Sequence, residues 1–238
     1  MKAVILAGGK GTRLAPYTKI LPKPLLPIGD MPVLEIILCR MYDAGVDHAV
    51  LTVGHMAELL HLFFQDGKRV GMRITYSYED EPLGTAGPLT LIPGLNETFL
   101  VSNGDVLTTL DLADLIAFHH AEKAIATIAM HHRKIGIDFG VIELNGGNVV
   151  NGYNEKPTIE HMVSMGIYVF EPGVLEHIPH NKYLDFPDLV KKLLEAGQKV
   201  VGYPFDGYWM DLGRPDDYEL AVGDFEAMKT QFLPNFGK

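Results

Sequence analysis

Residues 2–7 read KAVILA and stop at Gly8-Gly9, so a short apolar, partly β-branched run is cut by two residues that favour turns over regular elements. An apolar run of that length without polar alternation is a strand buried on both faces, as parallel strands inside an α/β sheet are. In open sheets of this kind, the loop leaving the carboxyl end of a strand borders the ligand crevice. Here that loop is GGKGTRLAPYTKILPKPLLP, residues 8–27. Gly8, Gly9 and Gly11 carry no side chain to keep an anion's oxygens from the backbone N–H groups, and clustered N–H donors form an anion-binding concavity. Thr12 adds a hydroxyl, and Arg13 a planar fork suited to phosphate oxygens. Lys23 is a cation on a backbone stiffened by Pro22 and Pro24.

Strand and helix signals alternate through the first half. Pro32 opens a helix over residues 32–44, with Gly45 beyond its end. Strand 48–53, helix 56–64 and strand 73–78 follow, then the loop EDEPLGTAGP and a buried strand, 98–101, that runs into Ser102-Asn103-Gly104-Asp105. Asp111 caps a helix to about residue 122, and 124–130 is again a strand. In the second half, 139–144 and 149–153 form a hairpin through Asn145-Gly146-Gly147-Asn148. Strand 162–170, helix 186–195, strands 199–204 and 207–212 and a helix over 215–228 complete the pattern. The pattern predicts a single α/β domain with a mixed, mostly parallel central sheet and helices on both faces.

Composition narrows the partners. A net charge of −10 opposes a nucleic-acid surface, which needs a basic patch, so the cations of residues 8–27 are a local exception. No apolar run approaches membrane-spanning length, and Met1 leads into the first strand without a signal-peptide pattern, so neither membrane nor export is expected and a cytoplasmic location follows. The single cysteine, Cys39, lies in an apolar helical stretch and reads as a core residue. The pairs His119-His120 and His131-His132 lack HExxH spacing and read as structural. No GxSxG elbow surrounds Ser102 or Ser164. Two familiar phosphate loops also fail. Gly9-Lys10 is followed by Gly11 where a Walker A loop has Ser or Thr, and Leu14 stands where a dinucleotide fingerprint has its third glycine.

Taken whole, residues 8–27 closely resemble the signature of the nucleotidyltransferases that activate sugar 1-phosphates, the family that makes nucleotide-sugars. The resemblance extends to Asn103-Gly104-Asp105 and to Asp211 within WMDLGRPDDY, the contexts in which that family carries metal-binding aspartates. It implies a nucleotide site of Leu6, Ala7, Gly8, Gly9, Gly11, Thr12, Arg13, Lys23 and Asn103, with Mg2+ on Asp105 and Asp211. Glu155-Lys156-Pro157 matches an EKP motif whose glutamate meets sugar hydroxyls and whose lysine meets the sugar phosphate. Gly140, in Phe139-Gly140-Val141, resembles the glycine facing the sugar, and Ser164 stands where the family often has an asparagine. The segment PLGTAGPL, with Pro82, Gly84 and Thr85 near the base, looks most like that of mannose-1-phosphate guanylyltransferases and favours GTP. UTP, dTTP or CTP with a glucose, hexosamine, N-acetylmuramate or heptose 1-phosphate remain alternatives.

The resemblance further implies that residues 1–135 mainly bind nucleotide and 136–215 mainly bind sugar phosphate. A phosphate monoester is already mostly dianionic at neutral pH and needs no base, so catalysis would rest on positioning and charge neutralisation by Arg13, Lys23 and Asp105. Two rivals differ in chemistry. A glycosyltransferase would normally carry a DxD motif, whereas Val106-Leu107 follow Asp105; a non-catalytic nucleotide-sugar sensor would have lost the charged residues that this chain keeps. The sequence ends about 20 residues after Tyr218, which leaves no room for the hexapeptide-repeat β-helix of many relatives. A homodimer is compatible with all of this.

Overall fold

The computed structural model describes residues 1–79 and 81–235. The elements run β1 (Lys2–Leu6), the short strands β2 (Pro27–Ile28) and β3 (Met31–Pro32), α1 (Val33–Asp43), β4 (His48–Val53), α2 (Ala57–Phe64) and β5 (Arg73–Tyr78). Then come β6 (Phe99–Asn103), β7 (Val106–Thr108), α3 (Leu112–Glu122), β8 (Ala126–Gly136), the hairpin β9 (Val141–Leu144) and β10 (Val150–Asn154), and β11 (Thr158–Phe170). The series ends with α4 (Phe186–Glu195), β12 (Val200–Phe205), β13 (Trp209–Asp211) and α5 (Pro215–Phe232).

Seven strands make one sheet in the order β12-β8-β11-β6-β1-β4-β5, in which β11 runs antiparallel to both its neighbours and every other pairing is parallel. β1 lies between β6 and β4, and its residues 3–5 are fully buried, as an unbroken apolar run requires. Alternate side chains feed two cores. Ala3 and Ile5 join the core against α1, α2 and α5, while Val4 joins Phe99, Phe170 and the α4 residues Phe186, Leu189 and Leu193 on the other face. The sheet is therefore covered by helices on both faces. In register, Leu6 pairs with Thr52 and Asn103, so the loops after β1, β4 and β6 leave the same edge.

Several boundaries move for local physical reasons. Pro32 lies outside α1 as its N-cap. β7, too short to show any periodicity, pairs antiparallel with β13. β8 and β11 extend to Gly136 and back to Thr158 as a paired ribbon, because ladder hydrogen bonds rather than an apolar face hold residues 131–136 extended. No residue from 131 to 164 is buried, so this ribbon and the β9–β10 hairpin project from the core. α5 continues past a non-helical Met228 to Phe232. Cys39 is half-buried on α1, and burial pushes its thiol up to about 11, where it is unreactive at neutral pH. No helix among the described residues is long and apolar enough to cross a membrane.

Candidate active site

The glycine loop leaves β1 with its shape fixed from within. Gly11 has φ +59°, and a Cβ there would lie 2.9 Å from the Thr18 methyl. The Thr18 hydroxyl donates to the Gly11 carbonyl at 2.8 Å, and Leu14 N–H donates to the same oxygen at 2.9 Å. Backbone and side chain thus pin the turn that carries Thr12 and Arg13. Gly104, at the end of β6, approaches β1 so closely that a Cβ would sit 2.8 Å from the Leu6 carbonyl, and its N–H donates to that carbonyl at 3.0 Å. The result is a cavity of about 250 Å³ bounded by Leu6, Ala7, Gly9, Gly11, Thr12, Arg13, Lys23, Pro24, Gly104 and Asp105.

Lys23 is the buried cation of this cavity. Its turn (Lys23–Leu25) sets the side chain inward, and the ammonium pairs with Asp105 Oδ2 while lying 3.8 Å from Asp211 Oδ1. The two aspartates, 106 residues apart in sequence, meet because β13 pairs with β7, which sets Asp211 opposite Val106, and because Leu212 N–H donates to the Asp105 carbonyl at 3.0 Å. Arg13 completes the group. A Cβ on Gly213 would lie 2.9 Å from Asp211 Oδ1 and 3.1 Å from Arg13 Nη2, so the guanidinium shares the Gly213 surface with the Asp211 carboxylate.

Asp211 Oδ1 is buried and has no hydrogen-bond partner. Lys23 lies 3.8 Å away, beyond hydrogen-bond reach, and a buried carboxylate oxygen without a close donor or cation is costly. Two carboxylates converging on one point fit a hard divalent cation, whose other positions phosphate oxygens and water would fill. Among the described residues no group of three or more His, Cys, Asp or Glu forms a closed metal cage, so protein ligands alone would not complete the coordination.

Two further segments border the loop. On one side, a Cβ on Gly8 would lie 3.6 Å from Glu79 Oε1, and Glu79 Oε2 accepts from Leu83 N–H at 2.9 Å. Burial holds the Glu79 carboxyl above its ordinary pKa, with the Leu83 N–H pulling the other way. Gly84, at φ +77°, packs on the Leu184 carbonyl. Thr85 gives both its N–H and its hydroxyl to Asp185 Oδ1, at 2.9 and 3.1 Å, so its donors hold this segment to the start of α4. Pro82 beside it is exposed. On the other side, the irregularity in β11 sets Gly166 at φ +75°, where a Cβ would lie 2.5 Å from Asn103 Nδ2. Ser164 Oγ meets the Tyr168 hydroxyl at 2.9 Å, and the Trp209 indole donates to the Met165 carbonyl at 3.0 Å, tying β11 to β13. Asn103, Ser164, Asp105 and Asp211 are therefore linked through β6, β11 and β13.

Gly140, Glu155 and Lys156 are not joined to that group by any described contact. Gly140 packs against the Tyr153 hydroxyl, which donates to Glu155 Oε2 at 2.8 Å, and Lys156, at φ +47°, turns the exposed chain between Glu155 and Pro157. Six ladder positions separate Thr158 from Ser164, about 20 Å of extended strand.

Against known proteins, a family model described as nucleotidyl transferase matches residues 2–227. The chain belongs to the nucleotidyl transferase family. The UTP–glucose-1-phosphate uridylyltransferase of Synechocystis is 36% identical, aligned over 93% of this chain and 62% of that protein. The mannose-1-phosphate guanylyltransferase of Mycobacterium tuberculosis is also 36% identical, over 93% of this chain and 64% of that one. This nucleotidyl transferase chain thus spans under two thirds of the length of both relatives. A crystal structure from Bacillus anthracis, provisionally described as a glucose-1-phosphate thymidylyltransferase, superposes with a TM-score of 0.77 at 25% identity, covering 100% of this chain and 98% of that one.

Residue-type reasoning had missed several groups of this nucleotidyl transferase site. Thr18 gave no motif signal of its own, and Glu79 sat among acidic loop residues without distinction. Gly213 and Trp209 lay inside the aspartate motif, but only the β7–β13 pairing shows that Gly213 clears space for Arg13 and that Trp209 anchors β11.

Proposed function

We propose that this nucleotidyl transferase transfers a nucleoside monophosphate from a nucleoside triphosphate to a sugar 1-phosphate, with GTP as the favoured triphosphate. A phosphate oxygen of the sugar 1-phosphate attacks the α-phosphorus, the bond to the β-phosphate oxygen breaks, and the products are a nucleoside diphosphate sugar and pyrophosphate. The observation that carries the reading is the single buried ammonium of Lys23 held between Asp105 and Asp211 at the rim of a glycine-lined cavity.

The reacting groups are both anions, so repulsion is the main barrier and fixed positive charge the remedy. In this reading the loop amides and Arg13 receive the β- and γ-phosphates that leave. Lys23 steadies the α-phosphate and the incoming phosphate, since it stands where the cavity meets the aspartates. Asp105 and Asp211 would hold Mg2+, which when bound supplies charge neutralisation and geometric order to the phosphate oxygens. Asn103, opposite Leu6 in register, belongs to the nucleotide side, Ser164 faces the sugar end, and Gly140, Glu155 and Lys156 are assigned to the sugar phosphate. Pro82 and the Gly84-Thr85 turn wall the base.

Glu79 supports guanine. A carboxylate beside Gly8 can accept from both the N1–H and the N2–H2 of guanine, whereas uracil and thymine offer one N–H donor on that edge. A pyrophosphate-release assay with the four triphosphates crossed against mannose, glucose, hexosamine and heptose 1-phosphates tests the whole reading. Turnover with GTP above the rest is expected, and Glu79→Gln should narrow that preference by about tenfold, the scale of one charge-assisted hydrogen bond. Release with UTP or dTTP alone would overturn the assignment of the base, and no release with any pair would overturn the reaction.

A further inference from the structure

The chain carries a second cationic cluster, far from Arg13 and Lys23. Lys2, His48 and Arg73 begin β1, β4 and β5, and the register sets Lys2 opposite His48 and His48 opposite Arg73. Side chains at directly opposed positions of neighbouring strands share a face, so the three form one row across the amino ends of three strands. Lys2 and Arg73 thus flank His48, two cations in one row within a chain of net charge −10.

The row lines a groove of about 710 Å³, larger than the cavity of the glycine loop. Its floor and rim include Val50, Thr75, Ser77 and Ile92, and His180 adds a further nitrogen base from the opposite wall. Among the described residues no carboxylate lines it. Asp47 and Glu97 border an adjoining cleft that Lys2, His48 and Arg73 also line, and Asp47 is already held by the α-amino group at 3.0 Å. Lys2 donates to the Gly94 carbonyl at 2.6 Å, and His48 Nε2 meets the Thr75 hydroxyl at 2.8 Å. Arg73, exposed, has no side-chain hydrogen bond or ion pair among the described residues. Burial, and then the charges of Arg73 and Lys2, hold the His48 imidazole below its ordinary pKa, with Asp47 pulling the other way. The glycine loop leaves the opposite, carboxyl end of β1, five residues away.

We infer that this groove is a second anion site, which binds the phosphate of a small phosphomonoester on Arg73, Lys2 and His48 and lays its uncharged part over Val50 and Ile92. Arg73 supplies a free fork for two phosphate oxygens, and Thr75 and Ser77 supply hydroxyls along the same face. The volume suits a sugar phosphate or a nucleoside monophosphate.

The His48 ring resonances are the readout, followed by NMR in the full chain carrying Lys23→Ala, which weakens the catalytic cavity without touching the groove. Inorganic phosphate, ribose 5-phosphate and guanosine monophosphate are the probes. All three should move the His48 signals saturably, and Arg73→Gln should weaken each by about tenfold or more, the loss expected for a charge-assisted pair. Arg73→Lys, which keeps charge and fold, should fall between. Tighter binding of ribose 5-phosphate than of guanosine monophosphate assigns the sugar phosphate as ligand, and the reverse order assigns the nucleotide. Unmoved His48 signals, or equal affinities in the parent and both Arg73 variants, would overturn the site.

Discussion

Lys23 and Asp211 stand 3.8 Å apart although 188 positions separate them in sequence, and Asp105 pairs with the same ammonium from its other side. This relationship makes Lys23, among the described residues, the one buried cation shared by both carboxylates. Replacing it with alanine removes positive charge from the point where two anionic substrates would meet. Lys23→Ala should lower turnover by about 100-fold or more, the usual scale for losing one transition-state donor. Pyrophosphate release at saturating substrates, with the far-UV spectrum as a check on folding, measures it.

Asp211 Oδ1 is buried and accepts no hydrogen bond, and Lys23 at 3.8 Å leaves room for a closer cation. Asp211→Asn should leave the metal-free protein at least as stable as its parent. It should also abolish the stabilisation by Mg2+ with triphosphate, which for the parent reaches about 2.7 kcal/mol at a hundredfold excess over Kd. Thermal melts with and without Mg2+ compare the two proteins.

Gly166 at φ +75° lies against the Asn103 amide, so an added methyl meets both backbone strain and a side chain. Gly166→Ala should cost about 1–3 kcal/mol of stability. Because Asn103 must shift, KM for the triphosphate should rise more than KM for the sugar phosphate. Urea unfolding and initial rates give the two numbers separately.

His119 is buried between Thr127, at 2.8 Å, and Glu171, at 3.1 Å. Burial lowers its pKa below the ordinary 6.5, with Glu171 opposing that shift. The unfolded chain therefore takes up this proton first. Stability from the neutral ring is present above 6.5 and is lost as pH falls through that value toward the folded one. Between about pH 8 and about pH 5.5, the urea midpoint of the parent should drop more than that of His119→Gln, with His48 adding a fall common to both. Equal drops in the two proteins would show that His119 is not the group concerned.

The loop after β1 was legible because it follows an apolar strand and is marked by glycine, whose backbone freedom is a local property, whereas Asp105 and Asp211 stood out only through the family motifs around them. The hairpin was legible for the same reason as the loop, from Asn145-Gly146-Gly147-Asn148 between two apolar runs. β7 was not, since three residues show no period, and neither was the reach of β8 and β11 into residues 131–136 and 158–161, whose mixed polarity hides a strand exposed on both faces. Thr85 illustrates the converse, for its place in a motif said nothing of the Asp185 carboxylate that takes up both its donors.

The sequence by itself determined a glycine-lined, cationic loop at the edge of a parallel sheet, because backbone freedom, strand burial and charge are properties of neighbouring residues. Tertiary structure alone decided that Asp105 and Asp211 converge on Lys23 and that Lys2, His48 and Arg73 form a row. Those relations depend on strand pairing, between β7 and β13 in one case and among β1, β4 and β5 in the other, and register between distant segments is set by the packing of the whole core.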